Sequence, residues 1–187
     1  MKKLTTLLLP LALLSANALA VVDVEMKVSK LPKKVSKAHQ QIAAKLADSK
    51  CTYVVNPVSD IRQNKDAISW KVNATGVQQW FNTVHQNVVT PLLPETTKDI
   101  VVEVTPKLNM LYTYNEQLNI NGMAVSTVGY SINGKPAGQY HVRGFNSDSN
   151  WANGDSEFVG SAEHAAQHMI TRILEKLPEI CNNAESA

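Results

Sequence analysis

The sequence predicts an α+β fold, an α/β sandwich in which a mostly antiparallel sheet carries two or three amphipathic helices on one face. Three observations predict it. Apolar residues recur at helical spacing in three separate segments, each as a single stripe with polar residues opposite. The middle of the chain alternates apolar and polar residues, the pattern of half-buried strands. It also contains Asn133-Gly134-Lys135-Pro136, a hairpin turn signal. A helix with one apolar stripe must lie on one face of the sheet, so the other face is left to solvent or to a partner.

The elements follow in order. Val22 to Val28 reads as a short strand. Pro32 suits the first turn of a helix, and Val35, Ala38, Ile42 and Leu46 then fall on one helical face, opposite Lys33, Lys37, Gln41, Lys45 and Asp48. Cys51 to Val55 is a strand closed by Asn56-Pro57, and Ala67 to Val72 reads as another. Thr75 is placed to cap a helix whose stripe is Val77, Trp80, Phe81, Val84 and Val88, ended by Pro91 and Pro94. Ile100, Val102 and Val104 alternate with polar residues, and so do Met110, Tyr112 and Tyr114. A long strand from about Asn119 to Ile132 turns at Asn133-Gly134 and returns as Gly138 to Phe145. A polar loop leads to a last helix from about Glu157 to Leu177. Phe158, Ala162, Ala166, Met169, Ile173 and Leu177 line its buried face, with Pro178 as its stop.

The chain has 187 residues, 44% of them hydrophobic and 18% charged, which excludes a disordered chain. Residues 1–20 have the three parts of a secretory signal peptide. Lys2 and Lys3 form the positive start, Leu4 to Leu14 the apolar run, and Ala18-Leu19-Ala20 the small-residue cleavage site. Residues 21–187 are then expected to form one α+β domain. No other run is apolar enough to span a bilayer, and Val21 stands where a lipidated cysteine would follow the cut, so no lipid anchor is expected. Loss of Lys2 and Lys3 brings 18 basic residues to 16, equal to the 16 acidic ones. A neutral chain has no electrostatic case for nucleic-acid binding. The expected location is the periplasm, or the outside of the cell. That compartment permits a disulfide, and Cys51 and Cys181 are the only cysteines.

The polar loop holds the most suggestive cluster. Trp151 stands among Asp148, Asn150 and Asn153, a set able to stack on a sugar face while amides and carboxylate take its hydroxyls; the plainer reading is a turn, with Asp155 or Ser156 capping the last helix. His141 and Arg143 are two apart on a strand, share a face, and suit an anionic group. His164 and His168 lie one helical turn apart, a spacing for a metal, but Glu163 precedes the pair and the zinc-protease order is absent. They fall on the solvent side, so neither metal nor cofactor is expected. Residues 27–50 hold seven lysines against Asp48 alone, while acids crowd the C-terminal segment. The lysines could form a surface for an anionic lipid or polyanion, but a Cys51–Cys181 bond would set these ends near each other and favour internal charge pairing.

From about Ile68 the chain resembles the YajG-like bacterial envelope lipoproteins. The resemblance is carried by Ile68-Ser69-Trp70-Lys71-Val72, the helix through Trp80 and Val88, Asp99 to Val104, the Met123 to Phe145 hairpin and the Ala162 to Leu177 helix. It implies a sheet with helices on one side, in the periplasm, and supplies no catalytic residues. Residues 21–60 stand outside it. The expected function is that of a soluble, non-catalytic periplasmic protein binding an envelope protein or a cell-wall component. The alternatives are a carbohydrate or peptidoglycan-fragment binder using the Trp151 loop, and an enzyme of unrecognised type.

Overall fold

The computed structural model describes residues 21–28, 36–150 and 154–185. Among them the order is β1 (Val22–Glu25), α1 (Lys37–Asp48), β2 (Cys51–Val55), β3 (Ser59–Asp60), β4 (Val72–Thr75), α2 (Val77–Val89), β5 (Ile100–Glu116), β6 (Asn119–Ile132), β7 (Lys135–Ser149) and α3 (Asp155–Glu185). The main sheet runs β2-β5-β6-β7, with β3 also pairing β5. The β5-β6-β7 meander is antiparallel, while β2 and β3 join β5 in parallel. β1 and β4 form a separate parallel pair. This is the α+β architecture the sequence predicts.

α3 lies across β5, β6 and β7 on one face, and α1 and α2 pack against α3. The stripe Phe158, Ala162, Ala166, Met169, Ile173 and Leu177 is fully buried, as its spacing predicts. Two strand glycines let the helix come close. A Cβ on Gly122 would run into the carbonyl oxygen of Ser161, and one on Gly144 into that of Ala165.

Pro178 does not stop α3, which continues to Glu185. Proline in a helix interior costs about 3 kcal/mol. Beyond it Ile180 and Cys181 are buried, and Cys181 is bonded to Cys51 at the start of β2, with their Cα atoms 5.9 Å apart. Packing and the cross-link outweigh the lost backbone hydrogen bond. Neither Asp155 nor Ser156 caps this helix: both lie inside its first turn, and Glu157 instead accepts a hydrogen bond from the Gly154 N–H at 3.2 Å. The cap expected from Thr75 likewise moves by one residue. β4 runs through Thr75, and the chain reverses at Gly76, whose φ of 72° suits glycine.

Ala67 to Val72 is not a strand. Ala67 makes an isolated bridge to Asn73, and β4 begins at Val72. The Ser69 hydroxyl accepts hydrogen bonds from the N–H groups of Lys71 and Val72, which folds the segment into a bend instead of a ladder.

β5 is one strand of 17 residues, and it contains Pro106. The proline is tolerated because of where it falls: β2 pairs with Ile100–Val104 and β3 with Lys107–Leu108, so Pro106 occupies the gap between two parallel partners. Two residues on, a bulge between Leu108 and Met110 shifts the register. Val102, Val104 and Leu108 face α3, and so do Leu111 and Thr113 beyond the bulge. Met110, Tyr112 and Tyr114 are thereby turned to the opposite face. The 133–134 turn has φ of 49° and 75° at Asn133 and Gly134, the left-handed pair of a two-residue hairpin.

Candidate functional site

The face of the sheet away from α3 is the candidate site, and register defines it row by row. From the hairpin end, Thr105, Gly129 and Gln139 share a row, then Lys107, Thr127 and His141. After the bulge come Met110, Val125 and Arg143, then Tyr112, Met123 and Phe145, then Tyr114, Asn121 and Ser147. One half is therefore polar and cationic, the other apolar and aromatic. Met110 is 43% exposed and Phe145 49%. The Tyr112 and Tyr114 rings stack at 6.4 Å.

A hydrogen-bonded row crosses the polar half. The Thr127 hydroxyl donates to Asn109 Oδ1 at 2.9 Å, which leaves its oxygen to accept from His141 Nδ1 at 3.1 Å. Asn56 reaches across from the β2 side to donate to Glu103 at 2.8 Å and to Thr105. Glu103 lies on the same face of β5 as Lys107. A shallow groove of about 420 Å³ lies at the β5 flank, walled by Arg62, Gln63, Asn64 and Ala67 and floored by Met110, Tyr112 and Met123. The wall is fixed by a buried ion pair. Arg62 Nη2 lies 2.8 Å from Asp60 Oδ2, and the guanidinium also donates to the carbonyls of Lys65 and Ala67.

Among the described residues, those predicted for a site do not converge. His141 and Arg143 share the open face. Asp148 is on the opposite, α3-facing side of β7, where it accepts from Asn146 at 2.6 Å and lies 3.2 Å from His164 Nδ1. The Asn146 amide holds the Asp148 carboxyl below its ordinary value; burial opposes it, and His164 adds to the lowering. The Asn150 amide donates to Asn115 Oδ1 at 3.2 Å. Trp151 and Asn153, the centre of the predicted sugar-stacking loop, lie outside the described residues, as does the predicted signal peptide.

His164 and His168 are both exposed but turn to different partners. His168 Nδ1 lies 2.9 Å from the carbonyl oxygen of Phe145 and 3.2 Å from its nitrogen. Phe145 therefore directs its backbone outward, and His168 covers the free edge of β7 at that point. No group of three or more His, Cys, Asp or Glu able to hold a metal ion occurs among the described residues.

Lys27 pairs with Glu25 at 3.0 Å, and Lys45 shares with Glu175 the groove between α1 and α3. Lys30, Lys33 and Lys34 lie outside the described residues.

Several residues were not singled out by sequence reasoning. His85, on α2, is 4% exposed with no partner for Nε2, and burial lowers its pKa to about 4. Glu163 is buried on α3 and accepts from Gln167 at 3.0 Å. The aromatic half of the open face was missed because nothing in the sequence marks the bulge that turns it outward. The isolated strand glycines were the one legible signal of close approach.

No protein-family model matches the chain, and no curated protein matches it in sequence. The fold is shared with a protein of the DUF330 family from Xanthomonas campestris, at a TM-score of 0.56 and 7% identity over 88% of this chain and 99% of that one. Weaker likenesses reach the protein CT253 of Chlamydia trachomatis (TM-score 0.46, 13% identity, 72% and 100% coverage) and a minor lipoprotein of Acinetobacter baumannii (0.36, 11%, 71% and 94%). At such identities the likeness is one of fold. No helix among the described residues is long and apolar enough to cross a membrane.

Proposed function

We propose that this is a non-catalytic protein of the bacterial envelope, exported to the periplasm, that works by binding a partner on the open face of its sheet. One observation carries the reading. The face opposite α3 is uncovered across three strands and joins exposed apolar side chains to Lys107 and Arg143, cations with no carboxylate bonded to them among the described residues. The leader-like residues 1–20 and the resemblance to YajG-like envelope proteins support the compartment, and the buried Cys51–Cys181 bond suits it.

A photo-crosslinking amino acid placed in cells at Val125, in the centre of the face, tests the proposal, with Arg172 on the exposed side of α3 as the control. A discrete adduct from Val125 and none from Arg172 is expected. Adducts from Arg172 alone would move the working surface to the helices. Cell fractionation tests the compartment separately, and recovery in the cytoplasm would remove it.

A further inference from the structure

The glycines of the sheet differ in what they do. Gly122 and Gly144 are notches that admit α3, Gly134 holds a left-handed turn, and Gly138 lies under the Tyr130 ring. Gly129 does none of these. It sits in the central strand of the open face with ordinary strand φ, and a Cβ there would meet nothing within 4 Å. Glycine weakens a strand, and close approach by another backbone or a ligand is one of the few reasons to keep it in a strand interior without a bulge or bend. On the other side of the same strands, such notches are filled by a helix. Gly129 is a matching notch on the uncovered side, between Thr105 and Gln139, in a groove of about 370 Å³ that also includes Lys107 and Thr127.

The dimensions agree. At ~4.8 Å per strand and ~3.4 Å per residue, the face from Glu103 to Tyr114 is roughly 14 Å wide and 35 Å long. A helix with side chains is about 10–12 Å across, and some 20 residues of it span 30 Å. The face is smaller than the roughly 800 Å² per partner of a standard globular interface. An added strand is disfavoured at the β7 edge. Phe145 is covered by His168, and Pro136 has no N–H to offer. Charge then selects among helices. Lys107 and Arg143 flank the Val125 and Thr127 positions, two cations against the Glu103 carboxylate a row beyond Thr105.

We infer that the open face seats one amphipathic helix of a partner protein, its small and apolar residues lying over Gly129, Val125 and Met123 and its flanking aspartates or glutamates meeting Lys107 and Arg143. This rests on the open face being the working surface.

The test uses the exported protein with its disulfide intact and a designed helical peptide of roughly 21 residues. One version has an alanine-leucine stripe flanked by glutamates, and a second has lysines in their place. Fluorescence anisotropy should show binding of the glutamate peptide, weakening as salt rises, with the lysine peptide at least roughly tenfold weaker. Gly129→Val should weaken binding by roughly tenfold or more and yet raise the melting temperature, because a β-branched residue improves an unhindered strand position. A glycine kept only for folding would lower it. Gly129→Ala, for which the free protein has room, is the milder companion, and Arg143→Glu should reverse the preference between the peptides.

Equal binding of both peptides, or binding indifferent to Gly129→Val and Arg143→Glu, overturns the inference. So does peptide-free self-association in sedimentation that Gly129→Val abolishes, which would assign the face to a second copy. Binding of phosphatidylglycerol vesicles in place of the peptide overturns it in favour of a membrane. If both peptides fail while crosslinking from Val125 succeeds, the helix is refuted and the open face stands.

Discussion

His85 shows how a single residue couples the core to pH. Its folded pKa is about 4 against an ordinary 6.5, because burial penalises the imidazolium. The unfolded chain therefore takes up this proton first as pH falls. The stability contributed by the neutral ring is present above 6.5 and is lost progressively until about pH 4. Between pH 7 and pH 5 the loss attributable to this residue is about 2 kcal/mol. Urea denaturation at the two pH values should show that difference in the parent and much less of it in His85→Leu; equal losses would mean that the histidine titrates normally. The Asp60–Arg62 pair makes a different demand. Both side chains are almost fully buried, and Arg62 is also held by two loop carbonyls. Asp60→Ala leaves a buried guanidinium without its counter-charge and should cost roughly 3–5 kcal/mol. The same denaturation assay checks it, and a loss under ~1 kcal/mol would show that water or a neighbour takes over the pairing.

At the level of elements, α3 and β5 separate what the sequence revealed from what it hid. The α3 stripe was legible because each residue of it obeys one period and ends in the core. Its length was not, because Pro178 is a strong local stop and the burial of Ile180 and Cys181 that overrides it is tertiary. The Asn133-Gly134 turn was legible because left-handed backbone needs those residues. In β5 both alternating halves were visible, but the inserted residue at the bulge carries no signature, so the side each half faces was open. The site suffered accordingly. His141 and Arg143 could be paired by strand spacing, whereas their neighbours Met110, Tyr112 and Phe145 depend on register across three strands. The contact of α3 with the sheet gives a direct prediction. Gly144→Ala should force the helix away at Ala165 and Met169 and destabilise the fold by roughly 1–3 kcal/mol or more. Gly129→Ala, on the same sheet, should change stability by less than about 1 kcal/mol. Thermal unfolding of the pair separates the covered face from the open one, and equal effects would contradict the assigned sides.

At the scale of the molecule, one covalent bond joins the first strand of the main sheet to the end of the last helix. Cys51 and Cys181 are 130 residues apart. Closing a loop of that length lowers the entropy of the unfolded chain by an amount worth up to about 5 kcal/mol in the chain-entropy account. Replacement of both cysteines by alanine should therefore lower stability by roughly 2–5 kcal/mol, read as a fall in melting temperature that matches the effect of reductant on the parent. A reductant-insensitive parent would show that the bond does not form. The order of contacts has a consequence in time. α3 touches α1, α2, β2, β5, β6 and β7, and it follows all of them in the chain. Until α3 has emerged, the meander lacks the helix that covers it, and its long β7 edge lacks the imidazole that shields Phe145. A chain interrupted before α3 is complete is therefore a sticky sheet and not a partly finished domain.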